Sequence, residues 1–267
     1  MADEFVTSGW YDLLMHGRVA RELMLPGARG VQAVFKRLPG DLRCRICHVP
    51  FNGPGARIAS LSPGSRPSSF SMQLCRRCEV RARGEKTGAD VEIASVFADI
   101  RGSTQLAIEL GSQDYRDLID RFYTTATDVL VASEAIIEKL VGDQVAAIFV
   151  PGLAGEHYVQ RAVDAALAMQ AAFGAGSREG AWVRVGIGVH AGGAFVGVVG
   201  TMGGMTELTV LGDVPNVTAR LAGAAASGEI LVTEAAMSRV RDVAPIETRT
   251  LQMKGRDEAV TVGVLAA

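Results

Sequence analysis

No run of apolar residues in this chain reaches the roughly 18 needed to cross a bilayer, although 48% of its 267 residues are apolar. The first residues, Met1-Ala2-Asp3-Glu4-Phe5, carry acid where a secretory leader would carry base. Net charge is scarce too: 27 Lys and Arg stand against 29 Asp and Glu, so no global affinity for polyanions follows. Internal repeats and low-complexity tracts are missing. Together these absences predict a cytoplasmic protein with no membrane partner. Cysteines number only four, and in a reducing compartment they are expected as ligands rather than disulfides.

The charge that is present is unevenly placed. Residues 1–90 carry 14 Lys and Arg against 8 Asp and Glu, whereas residues 91–267 carry 13 against 21. A basic leader before an acidic body predicts separate units. Trp10, Leu13, Leu14 and Gly17 recur at helical spacing, as do Val31, Val34, Phe35 and Leu38, with Pro26-Gly27 between the two sets. Residues 39–88 are rich in turn chemistry and need a staple to be ordered. From Val91 strands alternate with helices. Strands are expected over Val91–Ala98, Ala135–Leu140, Gln144–Val150, Leu208–Leu211, Glu229–Val232 and Ala259–Leu265. A hairpin over Gly192-Gly193 is expected to join Trp182–His190 to Ala194–Val199. Helices are expected over Ser103–Glu109, Tyr115–Val131, His157–Phe173, Val214–Ala226 and Glu234–Val240. The hairpins favour a mixed sheet with helices on one face, an α+β fold. The division expected is a helical segment at 1–40, a tetracysteine metal-binding module at 41–88 and a catalytic domain at 89–267.

Three segments carry chemistry. In Phe97-Ala98-Asp99-Ile100-Arg101-Gly102-Ser103-Thr104 a strand delivers Asp99, Gly102 allows a tight turn, and a helix begins at Ser103-Thr104. Backbone N–H groups at such a start can cradle phosphates while the aspartate holds a metal. In Lys139-Leu140-Val141-Gly142-Asp143 a second aspartate falls at a strand-to-strand turn. Two carboxylates on strand ends can hold a pair of hard divalent cations, which suits chemistry on a nucleotide polyphosphate. In Thr209 to Leu221, Asp213 can cap a helix with Pro215 in its first turn. Asn216 and Arg220, four apart, then share one helix face.

Taken together, residues 91–265 resemble the class III nucleotide cyclase catalytic domain, the family of adenylate and guanylate cyclases. Gly186-Ile187-Gly188-Val189-His190-Ala191-Gly192, Gly228-Glu229-Ile230-Leu231-Val232 and Lys254-Gly255 extend the match in the family's order. The resemblance implies a ferredoxin-like βαββαβ core with added strands (an α/β sandwich) that forms a head-to-tail homodimer with active sites at the interface. It implies that Asp99 and Asp143, with the Ile100 carbonyl, bind two Mg²⁺ or Mn²⁺ ions per site. Lys139 and Thr209 match the purine-reading positions, Asn216 the ribose-orienting one, and Arg220 the one that steadies phosphate charge in the transition state. Lys254 matches a further phosphate contact, beside Gly102, Ser103 and Thr104. The implied reaction is attack of the ribose 3′-oxygen on the α-phosphorus, expelling pyrophosphate. A Lys ammonium only donates and a Thr hydroxyl can accept, which suits adenine, so the expected substrate is ATP and the product cyclic AMP. The alternatives are a cyclase for GTP or a pyrimidine nucleotide, or a non-catalytic zinc-ribbon regulator built on a cyclase fold.

Cys44-Arg-Ile-Cys47 and Cys75-Arg-Arg-Cys78, with 27 residues between them, resemble a zinc ribbon or related tetrathiolate site. The expected ligand is Zn²⁺, with an iron–sulfur cluster as the alternative. Cys44 to His48 also reads CxxCH, but the second pair lacks the histidine and haem attachment is discounted. Arg43, Arg45, Arg76, Arg77, Arg81 and Arg83 make the module basic. That charge is read as surrounding a tetrathiolate, and nucleic acid is not expected as a partner.

Overall fold

The computed structural model describes residues 10–17, 28–40, 42–67, 75–78, 80, 88–177, 180–200, 206–253 and 259–266. The chain forms two compact units. One comprises Met1–Asp90 with Phe195–Thr209, and the other Val91–Ala194 with Val210–Ala267.

In the first unit, residues 10–16 are helical, and α1 (Ala28–Arg37) and α2 (Gly53–Ala59) follow. The expected break at Pro26-Gly27 lies outside the described residues. Isolated bridges close the loops, Arg43 with Pro50 between α1 and α2 and Pro67 with Cys75 after α2. A small core gathers Leu13, Phe35, Ile46, Val49 and Ala59 around Cys44, Cys75 and Cys78. That core is small for a chain so rich in turns, so much of its order has to come from elsewhere.

The second unit is built on a sheet. From Gly88 onward the elements are β1 (Gly88–Ile100), α3 (Ser103–Ala132), β2 (Ile136–Val141), β3 (Gln144–Phe149), α4 (Pro151–Ala154), α5 (Tyr158–Ala172), β4 (Val185–Gly200), β5 (Thr206–Leu211), α6 (Asp213–Ala224), β6 (Glu229–Thr233), α7 (Glu234–Met237), β7 (Glu247–Leu251) and β8 (Val260–Ala266), with residues 88–90, 195–200 and 206–209 of these strands counted in the first unit. Strand order is β2-β3-β1-β4-β6-β8-β7, with β5 beside β4. The first four strands with α3 and α5 trace the βαββαβ path, and the fold is α+β as expected.

Period-two alternation divides the residues between the faces. On β1, Ala94, Val96, Ala98 and Ile100 join α3 and α5 in the main core, centred on Phe122, Met169 and Phe173. Full burial of each such side chain contributes about 1.5–3 kcal/mol. On β6 and β8, Leu231, Val262 and Val264 point the other way and pack with Val217 and Leu221 of α6. The expectation of helices on one face is therefore corrected: α6 covers the second face, because alternate residues of β6 and β8 are apolar on both sides.

Two further expectations change. The hairpin over Gly192-Gly193 does not form, and β4 runs unbroken from Val185 to Gly200. Neither glycine takes the positive φ that a two-residue hairpin turn demands. The two helices expected after Gly102 run on as α3, interrupted only at Gly111, whose φ of 77° and ψ of 168° are non-helical. Strand β7 was not expected at all. Its residues are mostly polar and exposed at the sheet edge, so neither alternation nor an apolar run marks it.

Candidate active site and cysteine cluster

Asp99 ends β1 on the face opposite the main core, where it is buried. It pairs across the ladder with Gln144, the residue after Asp143. The backbone ties the two acids closer still, since the Ile100 N–H donates to the Asp143 carbonyl at 3.1 Å. Asp143 itself sits in the β2–β3 turn and is half-buried. Gly142 before it has a φ of 60°, a left-handed conformation that a side chain resists. Burial raises the Asp99 pKa, the charge of Asp143 raises it further, and Arg101 opposes both. The Asp99 and Asp143 carboxylates, with the Ile100 carbonyl at the same strand end, offer an all-oxygen donor set. That set fits a hard divalent cation.

Arg101 was not singled out by the sequence. Its guanidinium pairs with the Asp99 carboxylate and donates to the carbonyls of Gly223 at 2.7 Å and Ala225 at 3.4 Å. Those carbonyls end α6, so one side chain satisfies open acceptors of that helix terminus and neutralises Asp99. Arg101 lies inside the quoted octapeptide, but nothing local reveals partners more than 120 residues away.

Helix α6 is seated by glycine. A Cβ on Gly188 would lie 2.5 Å from the Thr218 carbonyl oxygen, and one on Gly186 would lie 2.7 Å from that of Ala225. The backbones of β4 and α6 therefore touch, which explains Gly186-Ile187-Gly188. Asn216 and Arg220 are both exposed on α6, and Asn216 Nδ2 donates to the Gly212 carbonyl at 3.0 Å. The expected cap at Asp213 is corrected: Gly212 occupies the cap position and Asp213 is the first helical residue. Its acid still lies in the first turn, where the helix dipole favours it.

Lys139 owes its direction to a bulge. Ile137 pairs with Ala147 and Lys139 with Ala146, so β2 holds one extra residue, Glu138. Strict alternation through Glu138 would turn Lys139, like Ile137, toward the main core. With the bulge, Lys139 shares a row with Ala146 and Phe97, on the face of Asp99. Glu138 turns inward, and its Oε1 accepts the Val210 N–H at 3.3 Å. The Lys139 ammonium lies 3.9 Å from the same carboxylate. Thr209 is buried on β5. Gly102, with a φ of 69°, immediately precedes α3, which opens with Ser103 and Thr104. Lys254 lies outside the described residues.

In the first unit the sulfurs of Cys44, Cys47, Cys75 and Cys78 all lie within 4.8 Å of one another and could hold a metal ion. Cys47 and Cys75 are 3.7 Å apart. The first knuckle is closed by Cys44 N–H to the Val49 carbonyl and His48 N–H to the Cys44 carbonyl, both 2.9 Å. Hydrogen bonds from Cys47, Cys75 and Cys78 hold the Cys44 thiol far down, whereas the same contacts push Cys78 far up. Four sulfurs this close together can be shared by one cation, which would bind them as thiolates. Arg43 donates to the carbonyls of Phe35 and Leu38 at 2.8 and 2.6 Å. Arg77 donates to Ser62 Oγ at 2.7 Å and the Pro63 carbonyl at 2.9 Å. Two of the basic residues thus tie loops to the knuckles.

Fold, paired aspartates and sequence agree on one class. The adenylate and guanylate cyclase catalytic domain matches residues 86–265, and the chain belongs to that family. Among curated relatives, an uncharacterized protein of Mycobacterium tuberculosis is 35% identical over 208 residues, covering 72% of this chain and 38% of its own. An adenylate cyclase of Anabaena cylindrica is 27% identical over 185 residues, covering 62% of this chain and 35% of its own. The chain thus spans little more than a third of the length of these relatives. Among solved structures, the adenylyl cyclase CyaB from P. aeruginosa superposes with a TM-score of 0.60 at 25% identity, covering 67% of this chain and 96% of that one. The guanylyl cyclase Cya2 shares the fold with a TM-score of 0.61 at 24% identity, covering 66% and 92%. Among the described residues, no helix is long and apolar enough to cross a membrane.

Proposed function

We propose that the chain converts ATP to 3′,5′-cyclic AMP and pyrophosphate at sites shared between two copies of itself. The observation that carries this reading is the placement of Asp99 beside Asp143, on the sheet face that α6 covers. Asp99, Asp143 and the Ile100 carbonyl hold two Mg²⁺ or Mn²⁺ ions. When bound, those ions favour ionisation of the 3′-hydroxyl and neutralise the β- and γ-phosphates. Gly102, Ser103 and Thr104 at the start of α3 receive phosphate oxygens. Asn216 orients the ribose and Arg220 stabilises the charge that gathers on the phosphates during displacement. Lys254 adds a phosphate contact. Lys139 donates to the adenine ring nitrogen and Thr209 accepts from its amino group. The catalytic domain in this reading is 89–267, preceded by a helical segment at 1–40 and a metal-binding module at 41–88.

Incubating the purified protein with Mn²⁺ and each of ATP, GTP, CTP and UTP tests the reaction. Cyclic AMP and pyrophosphate are expected from ATP at the highest rate. A preference for GTP would correct the base, and no cyclic product from any nucleotide would remove the enzyme reading.

The cysteine cluster holds Zn²⁺ in this reading. Zn–S bonds of about 2.3 Å place the four sulfurs of a tetrahedron about 3.8 Å apart, close to the 3.7 Å between Cys47 and Cys75. A cluster of several irons would bind its thiolates on separate metals and so spread them further. Cys44→Ser is expected to reduce bound zinc from about one per chain to none, measured by metal analysis on the purified protein. An unchanged zinc content, or a visible iron absorption in the parent protein, would contradict the assignment.

A further inference from the structure

Strand ends give Asp99 a firm base, but Asp143 sits on a turn, and a turn needs anchoring. One anchor is the bond from the Ile100 N–H to the Asp143 carbonyl. The other comes from α3, beyond its break at Gly111. The Tyr123 hydroxyl donates to the Gly142 carbonyl at 2.7 Å. Its ring packs against the main core, so the hydroxyl is placed by buried neighbours. Eight residues earlier on the same helix face, Tyr115 also feels the charge of Asp143 and hydrogen-bonds Ser103. The left-handed Gly142 is thereby held on one side by a phenol and followed on the other by a carbonyl fixed to β1.

We propose that Tyr123 is a positioning residue for the metal-binding turn, acting through the Gly142 carbonyl to fix Asp143 relative to Asp99. The inference rests on Asp99 and Asp143 being metal carboxylates. Hydrogen bonds that orient ligands from behind typically govern metal affinity by about 10- to 100-fold. Tyr123→Phe removes one oxygen and keeps the packed ring, which isolates that bond.

The test titrates Mn²⁺ into the full chain with 3′-deoxy-ATP, which lacks the attacking hydroxyl, and reads free Mn²⁺ by electron paramagnetic resonance. Tyr123→Phe is expected to weaken Mn²⁺ binding about tenfold. Faster amide exchange across residues 141–144 is expected in the metal-free protein, with little change in thermal midpoint. Tyr123→Leu, which also removes the ring, is expected to lower the midpoint further without weakening Mn²⁺ beyond the Phe variant. Wild-type Mn²⁺ affinity in Tyr123→Phe would overturn the proposal, as would metal affinity that tracks the midpoint across the two variants. Asp143→Asn separates the two levels of inference. If it too leaves Mn²⁺ binding unchanged, the metal-carboxylate reading fails; if it weakens binding and Tyr123→Phe does not, only the positioning role fails.

Discussion

Asp99→Ala is expected to lower cyclic-nucleotide formation by about a thousandfold or more, since the ions it helps to hold stabilise transition-state charge by several kcal/mol. Arg220→Ala is expected to lose about 100- to 1,000-fold by removing a preorganised cation from the phosphates. The informative experiment mixes the two inactive chains. In a head-to-tail homodimer, Asp99 serves one site and Arg220 of the same chain serves the other. A mixed dimer then keeps one site with both residues intact. With random pairing, half of the dimers are mixed, so about a quarter of wild-type activity should return. Recovery near that level is the expected result. None, with mixed dimers demonstrated by mass, would place each complete site within one chain.

Gly188→Ala carries the second large effect, at a residue that contacts no substrate. Its new Cβ would stand 2.5 Å from the Thr218 carbonyl oxygen and 2.6 Å from the Ala222 nitrogen. Both are backbone atoms of α6, so the helix must move rather than a side chain rotate. Overpacking of this kind costs about 1–3 kcal/mol. A displacement of about 1 Å in α6 would carry Asn216 and Arg220 out of place and cost about 100-fold in rate. Gly223→Ala is the matched control. It lies on the same helix, and a Cβ there would meet nothing within 4 Å, so near wild-type rate and melting temperature are expected. Equal behaviour of the two variants would mean that the β4–α6 contact does not set the site.

Much of this was legible in the residues. The apolar runs of β1 and β3, the apolar face of α5 and the turn at Gly142-Asp143 follow local rules, and the structure keeps them. Where reading failed, the deciding interaction was distant. Gly192-Gly193 satisfies hairpin chemistry, yet β4 passes straight through, because its neighbours in the sheet supply partners along its length. Strand β7 is an edge strand held by its ladder with β8, and no pattern within it says so. Arg101 was given no role from the sequence, because its role depends on the carbonyls at the end of α6. Gly186 and Gly188 were visible as a motif, but only the approach of α6 gives their missing side chains a reason.

The bulge in β2 means that the direction of Lys139 is stored in the backbone. Closing the bulge with Glu138 kept in the strand would leave Lys139, Asp143 and all other site residues chemically intact. It would nevertheless pair Glu138 with Ala146 and Lys139 with Val145, and send the Lys139 ammonium toward the apolar layer under α3 and α5. A comparison of related chains by residue identity alone would score such a protein as fully equipped. In this strand the bulge between Ile137 and Lys139 is as much a functional element as the lysine itself.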